Sequence, residues 1–130
     1  LDAILYYNKI KLKLKTFLNR ISIMAAQLFS YNGEKLNGRF HGRGVWKCNI
    51  TQNCYDGEFY KGTFHGEGRL VNTGTGEVIT GRWVDGQLDG TVIVAFQNNN
   101  NLERRVYQQG TLISSAPARN KPTKSAAKTR

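Results

Sequence analysis

An internal repeat with a period of 24 residues restricts the fold of this chain more than any other feature of its sequence. Segments 31–44 and 55–68 share one tyrosine, one glutamate, one phenylalanine, one histidine and four glycines at the same positions. A third copy over 79–90 is less regular, and a fourth over 103–110 keeps one glycine. Units this short cannot bury a core alone, so we expect each copy to stack on its neighbours along the chain.

One glycine recurs in all four copies and always follows a polar residue. Glycine adopts a positive φ at little cost, so a polar residue followed by glycine is typical of the two-residue turn of a β-hairpin. The recurring pairs are Asn37-Gly38, Lys61-Gly62, Asp85-Gly86 and Gln109-Gly110. Two other pairs, Gly42 with Gly44 and Gly66 with Gly68, predict a second bend, where a side chain would clash with the neighbouring repeat.

Short runs rich in β-branched and aromatic residues lie between these turns and predict strands. The predicted strands cover residues 44–48, 54–60, 69–71, 77–84, 91–96 and 105–107. A single hairpin is marginal in water, so the hairpins must bury apolar side chains against each other. We expect this core to contain Trp46, Tyr55, Phe59, Leu70, Trp83 and Phe96. The predicted fold is all-β: an elongated antiparallel sheet of stacked hairpins, a solenoid with flexible basic termini.

The motif Tyr-x-Gly-x-x-x-x-Gly-x-x-x-Gly-x-Gly resembles the MORN repeat (membrane occupation and recognition nexus). The first two copies match it throughout, whereas the third has Ile79 and Val92 in place of the tyrosine and the last glycine. The matching residues are Tyr31, Gly33, Gly38, Gly42, Gly44, Tyr55, Gly57, Gly62, Gly66, Gly68, Gly81, Gly86, Gly90 and Gly110. The resemblance implies a twisted run of antiparallel hairpins that acts as an interaction module, as in scaffold, flagellar, membrane-contact and cell-division proteins.

The repeats divide the chain into a central domain and two ends. Residues 1–23 are interpreted either as a basic N-terminal extension or as upstream sequence translated ahead of Met24. The MORN-repeat domain is expected over 24–113, with repeats at 31–54, 55–78 and 79–102 and a degenerate half-repeat at 103–113. Residues 114–130 lack large apolar side chains and are predicted to be a disordered basic tail.

Most of the net charge of +10 lies in the two ends. Residues 1–23 carry five basic and one acidic side chain, and residues 116–130 carry five basic and no acidic ones. The nearly neutral middle argues against nucleic-acid binding by the repeats. The basic ends can attract an acidic protein partner or anionic phospholipid. The tail residues expected to act as this tether are Arg119, Lys121, Lys124, Lys128 and Arg130.

If the N-terminal segment is not an irrelevant extension, it has two further interpretations. Between Lys9 and Lys15, lysines alternate with apolar residues, which predicts a strand rather than a helix. A basic segment with few acidic residues also resembles a mitochondrial transit peptide. No uninterrupted apolar run approaches the ~20 residues that a membrane-spanning helix needs, so we do not expect an integral membrane protein.

The sequence indicates no catalytic, cofactor or metal site. The ionisable residues that recur at the repeat period are His41, His65, Glu34 and Glu58, and we interpret them as structural. Neither histidine has a cysteine or carboxylate partner that would complete a metal site. Cys48 and Cys54 flank a predicted turn and could face each other, but without a signal peptide we favour two free thiols over a disulfide.

The aromatic residues of the repeats are the candidate binding surface, because they could line a groove for a helix or peptide. The residues predicted to contact a partner are Phe40, Trp46, Phe64 and Trp83. The leading hypothesis is a non-catalytic adaptor in a flagellar, ciliary or other cytoskeletal assembly of the cytoplasm. The alternatives are a peripheral membrane module that binds anionic phospholipid and an accessory subunit of a mitochondrial or ribonucleoprotein complex. Open sheet edges would also permit self-association.

Overall fold

The repeats form one open antiparallel sheet in which strands neighbouring in sequence are neighbours in space. The structure is a computed structural model and describes residues 2–118. The elements are α1 (Ala3–Leu28), β1 (Phe29–Leu36), β2 (Arg39–Cys48), β3 (Cys54–Tyr60), β4 (Thr63–Asn72), β5 (Glu77–Val84), β6 (Gln87–Leu88), β7 (Gly90–Phe96), β8 (Leu102–Gln108) and β9 (Thr111–Ala118). The short β6 and the longer β7 share β5 as their partner. The predicted all-β sheet of hairpins is confirmed, with a helix added at its N-terminal end.

The four predicted hairpin turns are confirmed by their backbone angles. Asn37 and Gly38 have φ of 52° and 76°, and the three later polar-glycine pairs repeat this conformation. Two successive positive φ angles match the right-handed twist of the flanking strands. Each later turn is also bonded to the preceding repeat: the N–H of Gly62 donates to the carbonyl of Phe40 over 2.9 Å, and that of Gly86 donates to Phe64 over 2.9 Å. These bonds hold successive repeats in register.

Two predicted strands, 54–60 and 77–84, have the bounds found in the structure, and the others are longer than predicted. Gly42 and Gly66 do bend the chain, with φ of 65° and 64°, but they lie within β2 and β4 rather than between strands. The expected clash with a neighbouring repeat at Gly44 and Gly68 is wrong. The atoms that crowd these two glycines belong to the tyrosine of the same repeat.

The core lies on one face of the sheet and is centred on the second and third repeats. Its buried side chains are Tyr55, Phe59, Ile79, Trp83, Leu88, Val92 and Val94. Three residues predicted to be core, Trp46, Leu70 and Phe96, are only partly buried. A single sheet layer buries its middle strands more completely than its ends, because the end strands have a neighbour on one side only.

The N-terminal segment is a helix, and the prediction of a strand from Lys9 to Lys15 is wrong. Helix α1 has 26 residues and buries none of them. Its C-terminal end is fixed to the sheet by Asn49, whose backbone N–H donates to the Leu28 carbonyl over 2.8 Å and whose side-chain amide donates to Gln27 over 3.1 Å. Within residues 2–118, no helix combines the length and the hydropathy needed to cross a membrane.

The prediction that the tail begins at residue 114 is also wrong, because β9 continues to Ala118 and pairs with β8 along its length. The small and polar side chains of β9 bury little surface, but pairing depends on the backbone, which alanine and serine supply as well as valine does. The basic residues predicted to form a tether lie outside the described residues: Arg119, Lys121, Lys124, Lys128 and Arg130.

Candidate functional site

The side chains of alternate residues place the aromatic rings of the first two repeats on one side of the sheet. We call this side the aromatic face; it consists of Phe29, Tyr31, Phe40, Trp46, Tyr55, Phe59, Phe64 and Trp83. Successive rings contact one another from β1 to β5, with centroid separations between 3.8 and 6.5 Å. The opposite side carries most of the charged residues of the strands.

A tyrosine lying flat over glycine is the unit from which this face is built. The Tyr55 ring stacks on Phe64 with centroids 3.8 Å apart and planes 9° from parallel. Its hydroxyl donates to the Glu58 carbonyl over 2.9 Å. A Cβ atom at Gly57 or Gly68 would overlap this ring or the facing strand, so only glycine fits beneath it. The tyrosine position of the repeat therefore determines where glycine is needed.

The first repeat reproduces this unit closely. Tyr31 stacks on Phe40 with centroids 3.8 Å apart and planes 14° from parallel, and its hydroxyl donates to the Glu34 carbonyl over 2.6 Å. Burial raises the pKa of Tyr55 to about 12 and raises the pKa of Tyr31 as well. Both phenols are therefore neutral at physiological pH, and they serve as packing groups and hydrogen-bond donors rather than as bases.

The third repeat replaces the aromatic unit with aliphatic residues. Ile79, Leu88 and Val92 occupy the positions of Tyr55, Phe64 and Gly68, and all three are buried. The Val92 side chain lies against Gly81, so it fills the space that a tyrosine ring fills in the earlier repeats. The unit of tyrosine over glycine is thus confined to the first two repeats, although Phe96 and Tyr107 still pack against the core beyond β5.

An open hollow of about 300 Å³ lies on this face between the first two repeats. Phe40, Trp46 and Phe64, three of the four residues predicted to contact a partner, line it together. Phe59 also lines it, although the sequence placed this residue only in the core. The remaining lining residues are Gly62, Thr63 and Gly86. The two glycines belong to hairpin turns and have no side chains, so the edge of the hollow remains open.

Trp83 does not line the hollow, so its prediction as a partner-contacting residue is wrong. It is 5% exposed and packs edge-on against Tyr55 and Phe64, with centroid distances of 5.6 and 5.5 Å. Its indole N–H is buried without a hydrogen-bond partner among residues 2–118. Trp83 supports the residues that line the hollow from inside the core.

Comparison with known proteins assigns this architecture. The model of the MORN repeat matches residues 31–49 and 55–73, which are the two hairpins that carry the tyrosine-over-glycine unit. The chain contains MORN repeats. A search of curated proteins returned no match. MORN repeats are commonly involved in interactions with proteins or membranes and are generally not catalytic.

The recurring glutamates of the two MORN repeats bind the backbone of the long strands. Glu34 accepts a hydrogen bond from the N–H of Arg43 over 3.3 Å, and Glu58 accepts one from the N–H of Glu67 over 3.4 Å. Each carboxylate also covers the bending glycine of its repeat, Gly42 or Gly66. The glutamates thus complete the bend, in agreement with the structural role predicted for them.

The recurring histidines lie on the opposite side of the sheet from the hollow. His41 and His65 flank the Tyr60 ring, with centroid distances of 5.5 and 5.3 Å. His65 Nδ1 also accepts a hydrogen bond from the Asp85 N–H over 3.4 Å, which links the second repeat to the third. Among residues 2–118, no group of three His, Cys, Asp or Glu side chains is arranged to hold a metal ion.

A charged cluster ends the aromatic face, and the sequence analysis did not identify it. Arg105 contacts Glu77 over 2.9 Å and Glu103 over 2.8 Å. In the 24-residue alignment, Glu103 occupies the tyrosine position and Arg105 the glycine position, so an ion pair replaces the ring and the glycine. Hydrogen bonds from Arg105 lower the pKa of Glu103. Although burial opposes its charge, the two carboxylates raise the pKa of Arg105 above its usual value.

The two cysteines are free and point to opposite sides of the sheet. Cys54 pairs across the strands with Lys47, so Cys48, the next residue, projects to the other side. The possibility of a disulfide between facing cysteines is therefore excluded by the register. Hydrogen bonds from the Thr51 side chain and from the backbone of Thr51 and Ile50 lower the pKa of the Cys48 thiol.

Proposed function

We propose that this chain is a non-catalytic adaptor that binds an apolar side chain of another protein in the hollow of its aromatic face. The single observation that carries the proposal is the open hollow lined by Phe40, Trp46 and Phe64. These rings belong to partly buried residues that pack against the core, so they are held rigidly and still reach the surface. A rigid aromatic anchor site loses little entropy when a partner binds.

The size of the hollow favours a protein segment over a small-molecule substrate. Its volume of about 300 Å³ is at the lower limit for ligand pockets and suits one or two side chains of a helix or extended peptide. The lining offers aromatic rings and the small residues Gly62, Thr63 and Gly86, with no ionisable group to carry out chemistry. Aromatic clusters of this kind supply most of the binding energy at protein interfaces.

Binding of a peptide tests this function directly. The full-length chain is used to select binders from a displayed library of random peptides, and the affinity of a selected peptide is followed through Trp46 fluorescence in a Trp83→Phe background. We expect peptides with aromatic or large aliphatic anchors, and we expect Phe40→Ala to weaken them at least tenfold, which corresponds to about 1.4 kcal/mol. A Trp46 variant lacks the fluorescent probe, so its affinity for the peptide is measured by calorimetry.

Tyr60→Ala is the matched control, because Tyr60 is 43% exposed and lies on the opposite side of the sheet. This variant should bind the selected peptides as well as the wild-type chain does. Equal loss in Phe40→Ala and Tyr60→Ala, with both variants folded by circular dichroism, would contradict the assignment of the hollow as the binding site. Selection of no apolar peptide would contradict the adaptor function itself.

We further propose that the adaptor works in a flagellar, ciliary or other cytoskeletal assembly, which is supported by the resemblance to MORN-repeat scaffolds. A C-terminal fluorescent tag tests the location in the cells that make the protein. Retention of the signal on a detergent-extracted cytoskeleton or flagellum is the expected result. A mitochondrial signal would overturn this location and would favour a transit peptide at the N-terminal end. A signal removed by detergent would also overturn it and would favour membrane binding by the basic ends.

Anionic phospholipid is a second candidate partner, favoured by the charge of α1 and of the C-terminal segment. Helix α1 carries Lys9, Lys11, Lys13, Lys15 and Arg20 beside exposed apolar side chains. Each basic residue near an anionic surface contributes about 1 kcal/mol. Sedimentation with phosphatidylserine vesicles should then fall steeply as salt rises, because salt screens exposed charges. Peptide binding in the apolar hollow should survive the same salt.

A further inference from the structure

Helix α1 carries an apolar seam with the spacing of a coiled coil. Along the whole helix, apolar residues alternate at intervals of four and three residues, and no position of this series is polar. We call these residues the seam: Ala3, Tyr7, Ile10, Leu14, Phe17, Ile21, Met24 and Leu28. The series extends over more than three heptads, which is the length at which such a pattern indicates a coiled coil rather than a single amphipathic helix.

The seam is uncovered in the single chain. Its seven large residues are between 41% and 63% exposed, although side chains of this kind are usually buried. Among residues 2–118, the helix is bonded to the sheet at its C-terminal end, where Asn49 binds the last carbonyls. An isolated helix gains little stability from its own hydrogen bonds, and most of its stability comes from packing of an apolar side. The exposed seam therefore gives helix α1 a surface on which a partner can pack along its length.

We propose that the seams of two copies of this chain pair as a parallel, two-stranded coiled coil. The residues beside the seam favour this partner. In a parallel pair, a residue preceding one seam position faces the residue five places later on the other helix. The facing pairs are Tyr6 with Lys11, Lys13 with Leu18, and Arg20 with Ala25. Each basic residue thus meets an uncharged one, and the Lys11 ammonium can lie over the Tyr6 ring.

Other arrangements fit the same residues less well. An antiparallel pair would bring the flanks that carry Lys13 and Arg20 together, and like charges at these positions oppose pairing. A membrane surface would cover one side of a single helix, and vesicle binding by the seam variant distinguishes this arrangement from the pair. Lys9 and Lys15 also lie away from the seam in the parallel pair and remain in water.

The parallel arrangement is compatible with the rest of the fold. Helix α1 leads into β1 without a linker, so a parallel pair would place the two sheets at the same end of the coiled coil. The dimer would then present two aromatic faces on one particle. When a partner with repeated anchors binds one of two linked faces, its second anchor is held close to the other face. The apparent affinity therefore rises without any new contact. The dimer itself does not depend on the adaptor function.

The oligomeric state of the full-length chain tests the proposal. Sedimentation equilibrium over a wide concentration range should give twice the chain mass of 14.6 kDa. The dimer should persist or tighten as salt rises, because screening reduces repulsion between the two basic helices. The seam variant Leu14→Lys with Phe17→Lys should be monomeric. The matched control Leu5→Lys with Leu12→Lys adds the same charge outside the seam and should remain dimeric.

A cysteine at a seam position distinguishes parallel from antiparallel pairing. In a Cys48→Ser, Cys54→Ser background, Tyr7→Cys lies next to its copy only in a parallel pair in register, because an antiparallel pair places it opposite Met24, and mild oxidation should link it. A monomeric wild-type chain whose vesicle binding is lost in the seam variant would overturn the dimer in favour of lipid. Monomers at every concentration, or equal behaviour of the seam and control variants, would overturn it as well. In all variants the sheet is followed separately by circular dichroism.

Discussion

Two different physical demands fix glycine in these repeats, and they can be separated residue by residue. Gly68 has no side chain because the Tyr55 ring occupies the space in which its Cβ would lie. Gly62 lies in open space but has a φ of 87°, which strains any other residue. The sequence shows both as glycines of one motif. Only the structure shows that one depends on a neighbour and the other on the backbone.

The steric demand predicts a rescue. Gly68→Val should destabilise the chain by about 3 kcal/mol, because the added methyl groups overlap the Tyr55 ring. Combining it with Tyr55→Ile recreates the isoleucine and valine found at Ile79 and Val92, and should recover part of that loss. Urea unfolding of the two single variants and the double variant gives the coupling energy. Additive losses would contradict the packing relation between the two positions.

The backbone demand predicts the opposite behaviour at the hairpin turn. Gly62→Val should cost about 1–2 kcal/mol through backbone strain, and no substitution elsewhere should rescue it. Gly62→Asn is the matched control, because asparagine tolerates the left-handed conformation, as Asn37 does at a φ of 52°. Thermal unfolding followed by circular dichroism should rank the wild type first, then the asparagine variant, then the valine variant. Equal stability of all three would mean that the turn is not strained.

At the level of elements, two of the predictions that failed concern the ends of the chain. Four lysines between Lys9 and Lys15 alternate with apolar residues, and this local pattern of period two concealed the longer series of period 3.5 that runs from Ala3 to Leu28. The segment 114–118 was assigned to a tail by its composition, but an edge strand is held by backbone bonds to β8. Composition reports what side chains can bury and says little about such pairing.

The terminal hairpins predict a pH dependence through Glu103. Hydrogen bonds from Arg105 lower the pKa of this carboxyl in the folded state, so folding favours its charged form. The stabilisation is present above the ordinary glutamate pKa of about 4.3 and is lost as pH falls through the lower, folded value. Urea midpoints should therefore fall between about pH 5 and pH 3, and Glu103→Gln should lower the midpoint at neutral pH and flatten this fall.

Glu67→Gln is the control for this measurement, because Glu67 is exposed on β4. It should leave the acid dependence of the wild type unchanged. A Glu103→Gln variant with the wild-type pH profile would show that the contact of Arg105 with Glu103 does not contribute to stability. The repeat alignment alone suggests this test, since it places an acid and a base where the earlier repeats have tyrosine and glycine.

For the whole molecule, the 24-residue repeat predicted the sheet and gave no information on the segments outside it. The repeat gave the hairpin order, all four turns and the bounds of β3 and β5. It grouped Phe40, Trp46 and Phe64 as a candidate surface, and these three residues do line one hollow. It placed both Trp46 and Trp83 in the core, but it could not show that Trp83 is buried whereas Trp46 is only partly buried. Burial depends on how many strands lie on either side, and a repeat motif does not record its position in the array.

That position dependence makes a final prediction about local stability. Each hairpin contacts only its neighbours, so the amides of β3 to β7, where the buried side chains lie, should exchange with deuterium more slowly than those of the edge strands β1 and β9. The amides of α1 should be nearly unprotected in a monomer, because the helix buries none of its residues. They should gain protection with concentration if the seams pair. Exchange measured at two protein concentrations therefore distinguishes the stability of the sheet from the stability that dimerisation adds to α1. Uniform protection of all strands would contradict a fold in which each hairpin contacts only its neighbours.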